Sequence, residues 1–147
     1  MKTLMLIVRM ADETVALPAD LVESVVEIEA MSQIPLAPPQ FAGLAALRSR
    51  VVTIVDPRAA LGDVSCAPPM PFSAVIVQIE GHPYGIIVDD VVDVLEPDGP
   101  VRPANGMAGS RWAATALGTV VIEDRQYLLV DPAGLVAGPA TVTGDVR

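Results

Sequence analysis

The sequence has little of what most enzymes and nucleic-acid-binding proteins depend on. Only one of its 147 residues is a cysteine, Cys66, so neither an internal disulfide nor a multi-cysteine zinc site can form. Nine lysines and arginines are scattered among 18 acidic residues, and the net charge is −9. Because phosphate binding needs a basic stripe, this charge argues against a nucleic-acid partner. Aromatic residues are 3% of the chain, too few for stacking on bases.

Long apolar runs are also missing. A membrane-spanning helix needs roughly 18 consecutive apolar residues, and Asp, Glu, Arg or Pro interrupts every run before that length. The N-terminal stretch MKTLMLIVRMADE has one lysine and a short apolar run, but no small-residue cleavage site before Asp12. We interpret this stretch as a strand, and we expect a soluble, cytoplasmic protein that does not insert into a membrane.

Groups suited to catalysis are sparse. The single histidine, His82, lies in the turn EGHPYG, and no Ser-His-Asp set can be assembled around it. No glycine-rich phosphate loop is present. Asp89 and Asp90 are adjacent, and adjacent residues of a strand point to opposite faces, so they do not converge on a cation. We therefore predict no enzyme activity, no catalytic residue, no metal site and no cofactor.

What the sequence does contain is a repeat. Shifted by 69 residues, the stretch LIVRMADETVALPADLVESVVEI (6–28) aligns with VIVQIEGHPYGIIVDDVVDVLEP (75–97). Further along, the offset becomes 75, as if the second copy had a loop longer by six residues, and Gly43 then aligns with Gly118. The pattern indicates an ancient internal duplication.

Each copy ends with Val-Asp-Pro followed by small and apolar residues. After a buried strand, Asp56 and Asp131 can accept hydrogen bonds from backbone N–H groups as helix N-caps. Pro57 and Pro132 suit the first helical position, where the missing N–H has no partner to lose. We predict that both aspartates are structural caps and not catalytic groups.

Short runs rich in β-branched residues, such as TLMLIV and AVIVQI, predict about five strands per copy. A helix is the alternative for PADLVESVVEIE, since Pro18 suits a helix start, but the valine-rich second copy IIVDDVVDVLE favours a strand. The predicted fold class is all-β with little helix, as two small five-stranded barrels packed together. The first barrel is predicted at 4–62 and the second at 73–138, with 63–72 as connector. The alternative is that the first strand belongs to the other barrel.

Because the sequence shows no reaction centre, we expect the function to depend on surface contacts, which favours a binding module over an enzyme. Candidate contacts are Val25, Val26, Glu27 and the hairpin tip ALRSR. Arg48 in this tip aligns with Glu123 of the second copy, so the fold does not require an arginine there. Arginine is enriched in binding hot spots, which makes Arg48 a candidate anchor for a partner protein.

Three segments, FAGLAALRSRVVTIVDPRAALG, GHPYGIIVDDVVDVLEP and VRPA, resemble in this order and spacing the signatures of the CheW family of chemotaxis coupling proteins. The similarity covers almost the whole chain, and implies a single CheW-like domain over 1–147 made of two SH3-like barrels. It also implies a non-enzymatic adaptor in arrays under the inner membrane. Such an adaptor joins the cytoplasmic tip of a chemoreceptor to the regulatory domain of a CheA-type histidine kinase.

The resemblance further implies two sets of partner contacts. The positions that match the family's receptor contacts are Val25, Glu27, Gly43 and Arg48. The positions that match its contacts with the kinase regulatory domain, itself a double barrel, are Val75, Val77 and Val88.

Two stretches depart from the family pattern. Asn-Leu-Arg-Gly has become Ala-Leu-Arg-Ser with Ser49 in place of the glycine, and Asp-Leu-Arg has become Asp-Pro-Arg with Pro57 in the middle. We expect the missing glycine to restrict positive φ at the hairpin tip. These departures leave room for a coupling protein of another chemosensory-type pathway, or for one that keeps only kinase binding. A small-molecule-binding regulatory barrel with the loop 97–111 as a lid is the alternative of another class, and an enzyme ranks third.

Overall fold

The computed structural model describes residues 4–63, 69–104, 112 and 115–138. The first half of the chain forms β1 (Met5–Met10), β2 (Glu13–Pro18), β3 (Val22–Ile28), β4 (Phe41–Leu47), β5 (Arg50–Val55) and the short helix α1 (Pro57–Ala60). The second half forms β6 (Phe72–Ile79), β7 (His82–Val88), β8 (Asp90–Leu95), β9 (Ala116–Ile122), β10 (Arg125–Val130) and α2 (Pro132–Ala137). The segment that admitted a helix, PADLVESVVEIE, is one 3-10 turn at Ala19–Leu21 followed by strand β3.

Two five-stranded sheets make up the fold, which confirms the all-β class. Sheet A has the order β8-β1-β2-β10-β9, and sheet B has the order β3-β6-β7-β5-β4. If each strand of one copy is exchanged for its counterpart in the other, the order of sheet A becomes the order of sheet B. This symmetry is the structural expression of the repeat in the sequence.

The sheets do not follow the sequence ranges 4–62 and 73–138. The hairpin β1–β2 lies in sheet A with the last two strands of the chain, and the hairpin β6–β7 lies in sheet B with strands of the first half. The first hairpin of each half therefore lies in the sheet formed by the remaining strands of the other half. The alternative prediction placed the first strand in the other barrel. In the structure β1 lies there together with β2, because the two strands pair along their full length.

Burial of both strand faces explains the short apolar runs in β1 and β6. In β1, Leu6 and Val8 face the core between the two sheets, whereas Ile7 faces the interior of sheet A. In β6, Val75 faces the shared core and Ile76 faces the interior of sheet B. Both faces of these strands are buried, so their sequences are continuously apolar instead of alternating with polar residues.

The two Val-Asp-Pro motifs end their strands as predicted. Oδ1 of Asp56 accepts a hydrogen bond of 3.0 Å from the backbone N of Arg58, and Oδ1 of Asp131 accepts one of 3.0 Å from Ala133. In each case proline follows as the first helical residue. Both aspartates are N-caps, and the helices they start are short. Within the described part of the chain, no helix has the length and apolar character to cross a membrane.

Candidate partner-binding groove

A groove of about 950 Å³ lies between β3 and β4, the two edge strands of sheet B. The chain after β3 bridges to β4 at one place, where Ser32 and Leu44 exchange two backbone hydrogen bonds of 2.8 Å. Beyond this bridge the two edges stay apart, and side chains from both strands line the space between them. The groove is therefore the unclosed seam of a nearly closed barrel.

Three of the four predicted receptor residues line this groove, at positions far apart in the sequence. Val25 and Glu27 lie on β3, where residues two apart share a face. Arg48 lies on the opposite side, at the end of β4. Val25 is 44% exposed, which is high for a valine and leaves apolar surface open to a partner. Among the described residues, none forms an ion pair with Arg48.

The turn that carries Arg48 differs from the expectation based on the missing glycine. Positive φ falls on Arg48 itself, at 58°, and Ser49 is not among the described residues with positive φ. The serine therefore does not have to adopt a conformation that disfavours side chains. Its substitution for the family's glycine leaves the hairpin tip free to form.

Gly43, the fourth predicted residue, is buried and shapes the groove without lining it. A Cβ atom at this position would lie 2.5 Å from Cγ of Met31 and 2.6 Å from the carbonyl oxygen of Ser32. The absence of a side chain thus lets the segment after β3 seat directly on β4. Gly43 would thus affect partner binding indirectly, by fixing the position of the segment with Met31 and Ser32, which forms one wall of the groove.

A charged network that the sequence analysis missed borders the groove. Arg50 of β5 donates a hydrogen bond to Oε2 of Glu23 on β3, and Nε2 of Gln78 on β6 donates one of 2.9 Å to Oε1. Both hydrogen bonds lower the pKa of Glu23 below its ordinary value of 4.5, and the bond from Gln78 has the larger effect. No sequence motif signals this network, since only the pairing of three strands brings its members together.

The three valines predicted to contact the kinase lie in the core. Val75, Val77 and Val88 are at most 2% exposed and belong to the apolar cluster between the two sheets. Their side chains offer no surface to a partner in this fold, which corrects the assignment of direct contact. The cause is the burial of β6 and β7 on both faces.

Elsewhere in the described residues, reactive groups do not converge. No three His, Cys, Asp or Glu residues in that part of the chain are arranged to hold a metal ion. Nε2 of His82 lies 3.1 Å from Oγ1 of Thr53, and its ring meets Tyr84 edge-on. Residues 97–104 of the predicted lid do not line the groove, and residues 105–111 lie outside the described part.

Comparison with known proteins gives consistent results. The profile of the CheW-like domain family matches residues 4–139. A protein named chemotaxis protein CheW, from Rhizobium meliloti (strain 1021), is 32% identical over 98 residues, covering 66% of this chain and 63% of that protein. This chain thus spans less than two thirds of that relative's length.

Among solved structures, the scaffolding protein TtCheW from Thermoanaerobacter tengcongensis has the same fold. It superposes with a TM-score of 0.77 at 22% identity, covering 89% of this chain and 90% of that chain. The likeness confirms the predicted SH3-like double barrel. Since the family profile extends over nearly the whole chain, this protein belongs to the CheW-like domain family.

Proposed function

We propose that the protein is a non-enzymatic adaptor that joins the cytoplasmic tip of a chemoreceptor to the regulatory domain of a CheA-type histidine kinase. In this role it works in the cytoplasm and is recruited to receptor arrays under the inner membrane. The observation that supports the proposal is the groove, where the fold gathers Val25, Glu27 and Arg48 around the wall set by Gly43. These are the residues that the family resemblance assigns to the receptor.

Each residue of this set has a physical role in the proposed contact. Val25 supplies apolar surface that is buried on binding. Arg48 supplies a guanidinium that is exposed and has no described ion-pair partner, so it is available for a carboxylate or a carbonyl of the receptor. Glu27, on the facing side of the groove, supplies the opposite charge, and together the two charges set the orientation of the bound receptor.

The kinase-binding surface belongs, in this proposal, to exposed neighbours of the buried valines. β8 begins two residues after Val88 and is an edge strand of sheet A. Its residues Val92 and Val94 are 52% and 47% exposed, unlike the three valines of β6 and β7. A strip of exposed apolar side chains on an edge strand suits contact with another β-barrel, which is the fold of the kinase regulatory domain.

Co-purification with the two partners tests this function. Arg48→Glu is expected to abolish capture of a receptor cytoplasmic fragment while leaving capture of a CheA regulatory domain intact. Val92→Asp is expected to have the opposite pattern. Arg125→Glu is the matched control for charge reversal, because Arg125 is an exposed arginine on sheet A, away from the groove. Wild-type protein that captures neither partner would contradict the adaptor function.

A further inference from the structure

The groove has a counterpart in sheet A that the chain itself fills. By the repeat, β8 and β9 stand where β3 and β4 stand in sheet B. The residues after β8 run along β9, and Arg102 exchanges backbone hydrogen bonds of 2.9 and 2.7 Å with Thr119. Thr119 aligns with Leu44 at the offset of 75 residues, so this bridge corresponds to the one between Ser32 and Leu44.

Asp98 extends the cover of sheet A beyond that bridge. Its backbone N donates a hydrogen bond of 2.8 Å to the carbonyl oxygen of Val121. Its side-chain Oδ2 accepts one of 2.9 Å from the backbone N of Glu123, in the turn after β9. An extended segment with one well-placed carboxylate thus occupies the seam beside β9.

In sheet B the corresponding positions are uncovered. Val121 aligns with Ala46, and Glu123 aligns with Arg48. β3 stays paired with β6 up to Ile28, and the chain then meets β4 only at Leu44. Peptide groups alternate in direction along a strand, so those of Ala46 face the same side as those of Leu44, toward the groove. Of the described residues, none bonds to the Ala46 backbone from that side.

Charge distinguishes the two seams as well. At the turn position sheet A carries the acidic Glu123, whereas sheet B carries Arg48, whose side chain is exposed. A carboxylate placed on sheet B as Asp98 is placed on sheet A accepts a hydrogen bond from the backbone N–H of Arg48. The charged side chains that line the groove are Glu23, Glu27, Glu29, Arg48 and Arg50, and Arg50 is paired with Glu23. Arg48 is therefore the lining cation that can attract a carboxylate of the bound segment, and Glu27 and Glu29 disfavour further acidic residues beside it.

We propose that the groove binds an extended segment of a partner protein, which adds to the edge of β4 at Ala46 and places an Asp or Glu side chain at Arg48. This goes beyond the adaptor function, because it specifies the backbone form and charge of the bound segment whichever protein carries it. Strand addition gains affinity from main-chain hydrogen bonds.

The protein's own cover segment supplies the probe for the test. A fluorescently labelled peptide LEPDGP, residues 95–100 of the chain, is titrated into the 147-residue protein and followed by anisotropy and amide NMR. The peptide stops before Arg102, because Ser32 already takes the corresponding place on sheet B. We expect saturable binding with a downfield shift of the Arg48 amide proton. Binding is expected to weaken about tenfold or more, which is about 1.4 kcal/mol, in each of three cases. These are Arg48→Glu in the protein, Asp→Asn in the peptide, and N-methylation of the peptide's Asp nitrogen.

N-methylation separates strand addition from attraction by charge, because it removes the donor to the Ala46 carbonyl and keeps the carboxylate. Binding that survives N-methylation, or a failure of the peptide to bind, would overturn the proposal. Arg125→Glu is the control and is expected to bind the peptide as the wild type does. The two peptide changes use wild-type protein, so the test does not depend on the folding of a variant. A receptor fragment that is captured while the peptide does not bind upholds the adaptor function and refutes strand addition.

Discussion

The guanidinium of Arg58 and the carboxylate of Asp12 form an ion pair through two hydrogen bonds, donated by Nη1 to Oδ2 at 2.7 Å and by Nη2 to Oδ1 at 2.8 Å. Asp12 lies in the β1–β2 turn of sheet A, and Arg58 lies in α1, which follows β5 of sheet B. The hydrogen bonds to Asp12 raise the pKa of Arg58 above its usual value. In the second copy of the repeat, Gly81 aligns with Asp12 and Ala133 aligns with Arg58. The ion pair between the two barrels therefore has no symmetry-related counterpart at these positions.

A double-mutant cycle on this pair is expected to give a small, salt-dependent coupling. Arg58→Ala, Asp12→Ala and the double variant are compared by urea unfolding at low and high salt. Exposed ion pairs contribute about 0.2–1 kcal/mol, and two parallel hydrogen bonds favour the upper end of that range. Arg58→Lys keeps the charge and loses the two-bond geometry, so it should recover part of the coupling. Zero coupling at low salt would show that the pair does not stabilise the packing of the two sheets.

The two helix caps are expected to contribute unequally to stability. Asp131→Ala should lower the free energy of unfolding by about 0.5–2 kcal/mol, the usual cost of losing an N-cap. Asp56→Ala should cost more, since Asp56 is 2% exposed and its loss leaves a cavity as well. Asp→Asn at each position keeps an acceptor oxygen and serves as the control in the same urea titration. A larger loss at Asp131 than at Asp56 would contradict this ranking.

Glycine replacements should separate the shape of the groove from the stability of the fold. Gly43→Ala displaces Met31 and Ser32, and overpacking of this kind costs about 1–3 kcal/mol. It should also weaken receptor capture, although Gly43 touches no partner. Gly118→Ala should destabilise more, because Gly118 has a φ of 147° and its Cβ would meet the backbone of Arg102. Gly99→Ala is the control, since its Cβ would meet no atom within 4 Å. Unchanged receptor capture by a folded Gly43→Ala would refute the role of this wall.

The network around Glu23 is expected to make stability depend on pH. Because the pKa of Glu23 is lower in the folded protein than its ordinary value of 4.5, the ionised side chain stabilises the fold above that pH. The contribution declines as the pH falls through the lowered pKa. Urea unfolding of the wild type and Glu23→Gln should therefore differ at about pH 7 and converge toward about pH 3. Glu80→Gln, in the β6–β7 turn, is the control. A gap of equal size at both pH values would contradict the prediction.

Local sequence chemistry predicted much of the fold. The repeat, the strand count and the two aspartate caps depend on side chains acting on their own neighbourhood, so the sequence displays them directly. The exchange of hairpins was not visible in this way, because β1–β2 has the same sequence pattern whichever sheet it joins. Topology of this kind is decided by packing between sheets, as in the core that Leu6 and Val75 share.

The candidate site was predicted in part, for a similar reason. Val25, Glu27 and Arg48, which the resemblance assigns to the receptor, line one groove, and their contact with a receptor stays a prediction. Val75 and its neighbours could not be separated into core and surface by resemblance alone, since a matching position carries no information on burial. The apolar run around Val75 indicated burial on both strand faces. This signal is a better guide to the position of these valines than their assignment to a partner contact.

The exchange of hairpins makes the two halves of this protein mutually dependent. A fragment that ends before residue 69 carries β1 and β2 without the strands that flank them in sheet A, and β3 without β6 beside it. The other fragment lacks the corresponding neighbours. Severing the linker should therefore yield two pieces that reach the native state only by complementing each other. The present chain is thus organised like two domain-swapped copies of one unit joined in a single polypeptide.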